Sequence, residues 1–444
     1  MAMTNLKVII VGGGPVGLTA AHALHKAGID FTVLERGNEV APDVGAAICL
    51  APPTLRILHQ LGLLDQLQDL GGELVRRGLF TIDGYKFKSG DLFYGMKKNH
   101  GIRHVAFHRA EFVQSLYDQL PEEVKPNILM GKKVLDIQSG EKKVKVVCDD
   151  GSTYEGDLVL GADGVHSQTR KIMRKLAVEA DPIVTWDPEV PFTASYRCLW
   201  ATFKRPTAMG DSCETQHKDT SVMYVTGKER GWIFLYEKLP EPTKERTSYT
   251  SEDVEAMGNQ FAEYPITDNL KVKDVFPDRI TGGMSDLQEG ICNNWGWGRI
   301  VLAGDSIHKL TPNAGLGYQT GLQDVVSLVN HLRQLVVSSE SSMGPSVSAL
   351  EAMYKSYQSQ RWDRLAHDSS VSRHLTRLHA WANVWYYLVG RFVLLPYFMT
   401  YVMSEWLEAP AMSKALAFNF LDAQEPYEGQ VPWVHPLKNI YQSA

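Results

Sequence analysis

The run KVIIVGGGPVGLTAAHALHKAGIDFTVLE, residues 7–35, decides the reading of this chain. An apolar strand, Lys7 to Val11, meets the turn Gly12-x-Gly14-x-x-Gly17. A helix follows from Val16 to Ala27, then a second strand from Phe31 to Glu35. Each glycine has a steric task. Gly12 permits the tight turn, Gly14 lets a diphosphate reach bare backbone, and Gly17 lets helix and strand pack closely. The helix start then offers free N–H groups and about half a positive charge to an anion. Glu35 closes the second strand 18 residues beyond Gly17, where a carboxylate accepts hydrogen bonds from ribose hydroxyls. Glycine turns alone are weak evidence. Strand, turn, helix, strand and acid in series specify a dinucleotide-binding βαβ unit.

Outward from this unit, Pro52–Asp69 shows helical spacing and stops at Gly71-Gly72, and Arg109–Leu120 reads as a short helix. Val134–Ile137, Val144–Cys148 and Asp157–Leu160 read as strands, with Asp149-Asp150-Gly151 as a hairpin turn. Apolar alternation then takes over: Ser195–Phe203, Ser221–Thr226 and Gly231–Glu237 are expected strands, and Ser251–Phe261 a helix. Thr207–Asp219 and Ser338–Ser348 are rich in small polar residues and read as loops. The first pattern returns at Arg299–Ala303, before long helices at 315–335 and 347–378. The fold class is α/β: a discontinuous, three-layer, Rossmann-like domain, an inserted mixed β-sheet domain and a helical C-terminal region. Residues 1–75, 101–178 and 291–345 are assigned to the nucleotide domain. Residues 76–100 and 179–290 are assigned to the substrate domain, and 346–444 to the helical region.

Composition narrows the function. The chain has 444 residues, 44 % hydrophobic and 22 % charged, with a net charge of −6. No basic excess exists to displace counterions from nucleic acid. Five scattered cysteines without a Cys-x-x-Cys pair read as reduced thiols, not a disulfide framework or a zinc site, and point to an intracellular setting. Met1 runs almost directly into a strand, so a secretory signal is not expected. Trp381–Met403 is nearly all apolar or aromatic. Arg391 inside it costs about 2.5–3.5 kcal/mol at a bilayer centre, and Pro396 would kink a helix. A packed helix pair, or one lying in a membrane interface, is expected over a span. The location is then cytoplasmic or at a membrane such as the endoplasmic reticulum.

Two further motifs follow apolar strands: Gly161-Ala162-Asp163-Gly164-Val165-His166-Ser167, and Ala303-Gly304-Asp305-Ser306-Ile307-His308 with Pro312, Gly315, Gly317 and Asp324 behind it. Either alone is a common loop. In this order, after the first motif, the set resembles the para-hydroxybenzoate-hydroxylase-like, or class A, flavin monooxygenases across nearly the whole chain. Thr376-Arg377-x-x-Ala380-Trp381, the Arg391…Pro396 stretch and Phe192-Thr193-Ala194-x-Tyr196-x-Cys198 resemble a fungal branch that epoxidises prenyl chains in meroterpenoid and indole-diterpene pathways.

That resemblance implies FAD as cofactor and NADPH or NADH as reductant. FAD contacts are implied for Gly12, Gly14, Gly17, Glu35, Arg36, Gly45, Ala46, Arg109, Asp163, Gly164, Asp305, Pro312, Gly315, Leu316 and Gly317. The Asp163-Gly164 motif would touch both the FAD pyrophosphate and NAD(P)H, and Asp305 the ribityl chain. The loop from Pro312 to Gly317 would lie beside the isoalloxazine. The family's asparagine after this loop is replaced by Gln319, one methylene longer.

The implied reaction transfers oxygen from a flavin C4a-hydroperoxide to an electron-rich double bond of a lipophilic substrate, with prenyl epoxidation favoured. An aromatic or indole oxygenase, or a flavin dehydrogenase without oxygenase activity, is the alternative. Such chemistry needs O2 and a dry, oriented cofactor rather than a metal, and no metal-ligand motif is present. Arg197 is the candidate donor to the peroxide, although strand alternation turns one of Tyr196 and Arg197 inward and the other out. His308 reads as a loop support rather than a base. Trp232, Phe234 and Tyr236 alternate along one strand and line either a pocket or a core.

Overall fold

The computed structural model describes residues 6–43, 45–91, 93–338, 344–394 and 397–437. Lys7–Val11 forms an inner strand of a six-stranded sheet, buried on both faces, which explains its unbroken Val-Ile-Ile-Val run. It pairs in parallel with Leu158–Gly161 on one side and Asp30–Leu34 on the other. Ile300–Leu302 lies beyond Leu158–Gly161, again in parallel. The three glycine motifs therefore leave the carboxyl ends of three neighbouring strands. Scattered in sequence, they emerge side by side. In open parallel sheets that end is where ligands bind.

The second large sheet has eight strands, in the spatial order 308–309, 281–291, 193–204, 230–243, 220–226, 211–217, 76–81 and 86–90. Pairing is antiparallel except between Asp211–His217 and Arg76–Thr81. Alternation sends its side chains to two different cores. Leu199, Ala201, Phe203, Val222, Tyr224, Ile233 and Leu235 pack against Met257 and Phe261, at the helix Ser251–Gln260 and its end. Tyr196, Cys198, Val225, Trp232, Phe234 and Tyr236 instead pack with Ala46 and Ala106 of the nucleotide half. The second set forms the inner face.

The α/β class stands, with a helical C-terminal region, and several element readings need correction. Pro52–Asp69 is two helices, Pro52–Gln60 and Leu64–Gln68, because Gly62 adopts a left-handed φ of 82° between them. Thr207–Asp219 is not a loop: it contains the strand Asp211–His217. Its polar side chains are buried because distant partners meet them. Glu214 pairs with Arg77 and His379, and Gln216 accepts from the Trp381 indole. Of the loop expected at 338–348, residues 339–343 lie outside the described residues, and its two ends belong to the helices Gly317–Ser338 and Val347–His379.

The long helix Val347–His379 buries Leu350, Met353, Tyr354, Tyr357, Arg361 and Leu365 on one side, as its spacing predicts. Beyond it, short helical pieces occupy 384–393 and 397–412. Among the described residues no helix is long and apolar enough to cross a membrane. Pro396 lies outside them. Arg391 stacks its guanidinium 4.2 Å from the Phe87 ring centroid, which uses the charge on the protein itself. The tail then returns over Pro52–Gln60, where Arg56 pairs with Glu425 at 2.7 Å and Gln60 donates to the Phe418 carbonyl.

Candidate active site

The first helix, Pro15–Ala27, starts at Gly14 with no side-chain cap and no acid in its first turn, so its leading N–H groups remain available. A Cβ on Gly14 would meet nothing within 4 Å; this backbone faces open space. Gly12 and Gly17 are constrained instead. A Cβ on Gly12, at φ 108°, would fall 2.5 Å from the Ala162 carbonyl oxygen, and one on Gly17 would fall 1.9 Å from the Gly12 oxygen. The close approach at Gly12 joins the first motif to the second.

Both Glu35 carboxylate oxygens are fixed by backbone. Gly13 donates to Oε2 at 2.6 Å and Gly37 to Oε1 at 2.8 Å. Each oxygen keeps lone-pair capacity for a further donor. The neighbouring Arg36 is exposed. Burial lowers the pKa of His166, and the surrounding cations Arg246, Arg170, Arg36 and Lys171 lower it further. Charges from three separate segments thus converge at the His166 rim.

Asp163 is engaged by the helix that follows it. Its carboxylate accepts from the Thr169 N–H at 2.9 Å, the Thr169 hydroxyl at 3.0 Å and the Ser167 hydroxyl. It therefore caps the helix Gln168–Ala180, and what it presents to Gly12 is backbone. Gly164, at φ 80°, faces open space.

The third motif packs onto the first helix. A Cβ on Gly304 would lie 3.1 Å from Val16, and one on Gly321 only 2.7 Å from it. The Tyr318 hydroxyl meets that of Thr19 at 2.8 Å. Beneath the motif, the fully buried Asp324 accepts from Gly304 N at 3.1 Å, faces His308 Nε2 at 2.6 Å and accepts from Arg361 Nε at 2.9 Å. Burial opposes its charge, but His308 and Arg361 outweigh burial and hold the carboxyl below its usual range. His308 is thus a support of the loop, as the sequence reading has it.

Asp305 remains at the surface of this frame, paired with Lys309. Across from it, Arg109 begins the helix Arg109–Asp118 and touches Gly45, where a Cβ would sit 3.4 Å from its guanidinium. Ala46 accepts the Arg109 N–H at 3.1 Å. Arg109 is open to water yet crowded by protein, as a residue lining a crevice is. Desolvation lowers its pKa while Asp305 raises it. Pro312–Ala314 forms a single 3₁₀ turn closed by Gly315 in the left-handed region, φ 64°. Leu316 packs partly on the main core, and Gly317, like Gly14, faces open space at the start of the helix Gly317–Ser338.

Gln319 turns inward. Its Nε2 donates to the Gly315 carbonyl at 2.8 Å, and its Oε1 accepts from Ala51 N at 3.2 Å and the Thr54 hydroxyl at 3.3 Å. The longer amide thereby braces the Pro312–Gly317 loop against the helix Pro52–Gln60.

Arg197 is not brought to this crevice. Tyr196 takes the inner face, so Arg197 points to the opposite side and pairs with Glu237 at 2.7 Å. This corrects its candidacy as the peroxide donor. The inner face instead carries buried hydroxyls without protein partners, among them Tyr196, Ser221 and Tyr236. Ser221 and Tyr236 are direct cross-strand partners, and Cys198 lies next in the row. Asn313 in the loop likewise has a buried, unpaired Nδ2. Sequence reading passed over Asn313 and Ser221; their only signal was polarity within otherwise apolar or glycine-rich runs.

The uncapped start of the first helix, the start of the helix Gly317–Ser338, Glu35, Arg109 and Asp305 form one candidate binding surface. It has positive backbone poles and hydroxyl-reading carboxylates. That donor and acceptor set fits FAD. Among the described residues no group of His, Cys, Asp and Glu forms a metal site.

Comparison with known proteins agrees with the geometry. The sequence profile of a family described as an FAD binding domain matches residues 5–343. The FAD-dependent monooxygenase ausM of Penicillium brasilianum is 36 % identical over 403 residues, covering 89 % of this chain and 83 % of that protein. The FAD-dependent monooxygenase DEP2 of Alternaria brassicicola is 35 % identical over 401 residues, covering 88 % and 75 %. Among solved structures, Klebsiella pneumoniae HpxO complexed with FAD and uric acid superposes with a TM-score of 0.71 at 20 % identity, covering 91 % of this chain and 97 % of that one. The p-nitrophenol 4-monooxygenase PnpA of Pseudomonas putida DLL-E4 gives 0.68 at 18 % identity, covering 93 % and 96 %.

Proposed function

This chain belongs to the FAD binding domain family and is an FAD-dependent monooxygenase; from that premise we propose that it adds one oxygen atom to an electron-rich double bond of a lipophilic secondary metabolite, by epoxidation of a prenyl chain. The observation that carries the reading is the juxtaposition of the open Gly14 and Gly317 helix starts with an aromatic, apolar inner sheet face.

In this reading the N–H groups behind Gly14 hold the diphosphate, and Glu35 accepts the adenosine ribose hydroxyls. Asp305 takes the ribityl hydroxyls, and Arg109 reaches across from the other wall. The N–H groups of the Pro312–Gly317 loop meet the pyrimidine edge of the ring, where a helix start favours negative charge. Bound and reduced, FAD supplies the activated oxygen.

The protein contributes orientation and dryness. Trp232, Phe234 and Cys198 present an apolar wall that suits an alkene and excludes water. Tyr196, Tyr236 and Ser221 offer neutral hydroxyls to an oxygen-bearing substituent of the same substrate. Burial pushes the Tyr236 phenol well above its usual range, so it stays a neutral donor rather than a base.

NADPH is the proposed reductant. The cations Arg36, Lys171 and Arg246 around His166 support an anionic cosubstrate at that rim. A lipid surface is a further proposed contact, at the exposed apolar residues of 384–394 and 397–407, which include Trp385 and Trp406. The decisive test is purified protein supplied with FAD, NADPH, O2 and a prenylated aromatic substrate. A yellow protein, NADPH loss and a product heavier by one oxygen atom support the reading. NADPH loss with no oxygenated product from any prenylated, phenolic or indole substrate would leave an oxidase or dehydrogenase.

A further inference from the structure

The pattern Thr376-Arg377-x-x-Ala380-Trp381 at the end of the long helix has a structural meaning that cofactor binding alone does not absorb. Arg377 pairs with Glu289 at 2.6 Å, the Ala380 carbonyl accepts from Asp219 N at 2.6 Å, and the Trp381 indole donates to Gln216 at 3.2 Å. These three ties run to the large sheet. Thr376 alone runs the other way, into the Pro312–Gly317 loop.

Thr376 is fully buried. Its hydroxyl lies 2.8 Å from Asn313 Oδ1, 2.7 Å from the Thr311 hydroxyl and 3.1 Å from the Ser372 carbonyl. Three hydroxyl protons serve this cluster. Ser372 donates to the Thr311 carbonyl at 2.9 Å, and Thr311 donates to the Ser372 carbonyl at 3.1 Å. Thr376 shares its proton among Asn313 Oδ1, the Thr311 hydroxyl and the Ser372 carbonyl, and with Oδ1 on this side the amide turns its NH2 away from the cluster. That Nδ2 is buried and has no protein partner. Buried amide donors are nearly always satisfied. An orphan in a loop that faces a ligand groove marks a ligand atom.

We propose that Asn313 Nδ2–H donates to the heteroatom edge of the bound isoalloxazine ring, and that Thr376 is the positioning residue that holds the amide in this orientation. The acceptor belongs to the cofactor, because Asn313 lies in the Pro312–Gly317 loop that this reading sets beside the ring, whose edge carries carbonyl and imine acceptors. The inference rests on the FAD reading above.

The test titrates FAD into full-length apoprotein and records the visible spectrum and midpoint potential of the bound flavin. Asn313→Leu and Thr376→Val should each raise the FAD dissociation constant about three- to tenfold, the span of one neutral hydrogen bond. Both should shift the flavin band and potential, and Thr376→Ser should restore them. If Thr376 acts through Asn313, the double variant should bind no worse than Asn313→Leu alone. Apoprotein melting curves separate this from unfolding; should Asn313→Leu not fold, Asn313→Asp removes the donor at the same size. Parental affinity and spectrum in the Asn313 variant would overturn the proposal while leaving the FAD reading intact. Additive losses in the double variant would overturn the positioning role. A parent protein that takes up no FAD would instead bring down the underlying reading.

Discussion

Arg197 faces Glu237 directly across two inner strands of the eight-stranded sheet, with Nε 2.7 Å from Oε2. The pair lies on the side that carries the helix Ser251–Gln260, while Tyr196, one residue earlier, lies with Cys198 and Tyr236 on the side facing the nucleotide half. A single step of strand alternation thus separates a structural ion pair from the reaction chamber. Replacing Arg197 with alanine should leave product formed per NADPH consumed unchanged. Stability should fall by no more than about 1 kcal/mol, since the pair is partly exposed. Steady-state coupling and a thermal melt check this. A marked rise in uncoupled NADPH oxidation would return Arg197 to the mechanism.

Asp324 anchors the third glycine motif from below, and its removal should be costly. Asp324→Asn leaves the buried Arg361 guanidinium without its counter-charge, a loss of about 3–5 kcal/mol. The pH dependence has a definite sign. The folded carboxyl lies below its unfolded value, so its stabilisation is complete above about pH 4 and disappears as pH falls through the lower folded value. Urea melts at pH 7 and pH 3 should show the parent converging on the variant in acid. Equal stability of the two proteins at pH 7 would refute the anchoring role.

These two cases mark where the sequence was legible. The glycine turns could be read because strand, turn, helix and acid lie within 29 residues of one another, all between Lys7 and Glu35. Asp324 and Arg361 are 37 residues apart, and Glu214 and His379 are farther still. Nothing local announces such pairs, so a polar strand such as Asp211–His217 reads as a loop. Asp163 shows a subtler limit. Its motif was legible as a turn after a strand, but only the fold reveals that it meets Gly12 and that its carboxylate is engaged by Ser167 and Thr169. The Arg197 error came from a correct rule applied without knowing which face of the strand was which.

Tyr236 tests the inner face as a substrate wall. Its hydroxyl is buried without a partner, so the folded protein derives little from it. Tyr236→Phe should therefore be as stable as the parent, or slightly more so. If the substrate carries an oxygen that this hydroxyl reads, KM should rise about three- to tenfold with kcat little changed. Ser221→Ala, directly across the strands, should act in the same direction. Unchanged KM in both variants, with full folding, would mean that the polar row is core alone.

The stretch from Val384 to Leu407 exposes Trp385, Phe392, Phe398 and Trp406, each more than 60 % accessible. A soluble surface rarely concentrates large aromatics in this way. Tryptophan and tyrosine favour the headgroup region of a bilayer, where their amphipathic rings gain apolar contact and keep polar tips wet. The segment 384–408 has only Arg391, Glu405 and Glu408 as charges, so attraction to anionic lipid should contribute little. Flotation with phosphatidylcholine vesicles should therefore recover the protein at both low and high salt. Changing the four aromatics to serine should cut the partition at least about tenfold, given the apolar area withdrawn, while FAD binding stays at the parental level. Recovery that vanished in high salt would point to charge rather than these rings. A parent protein that failed to float with any vesicle would leave the aromatic face for a protein partner.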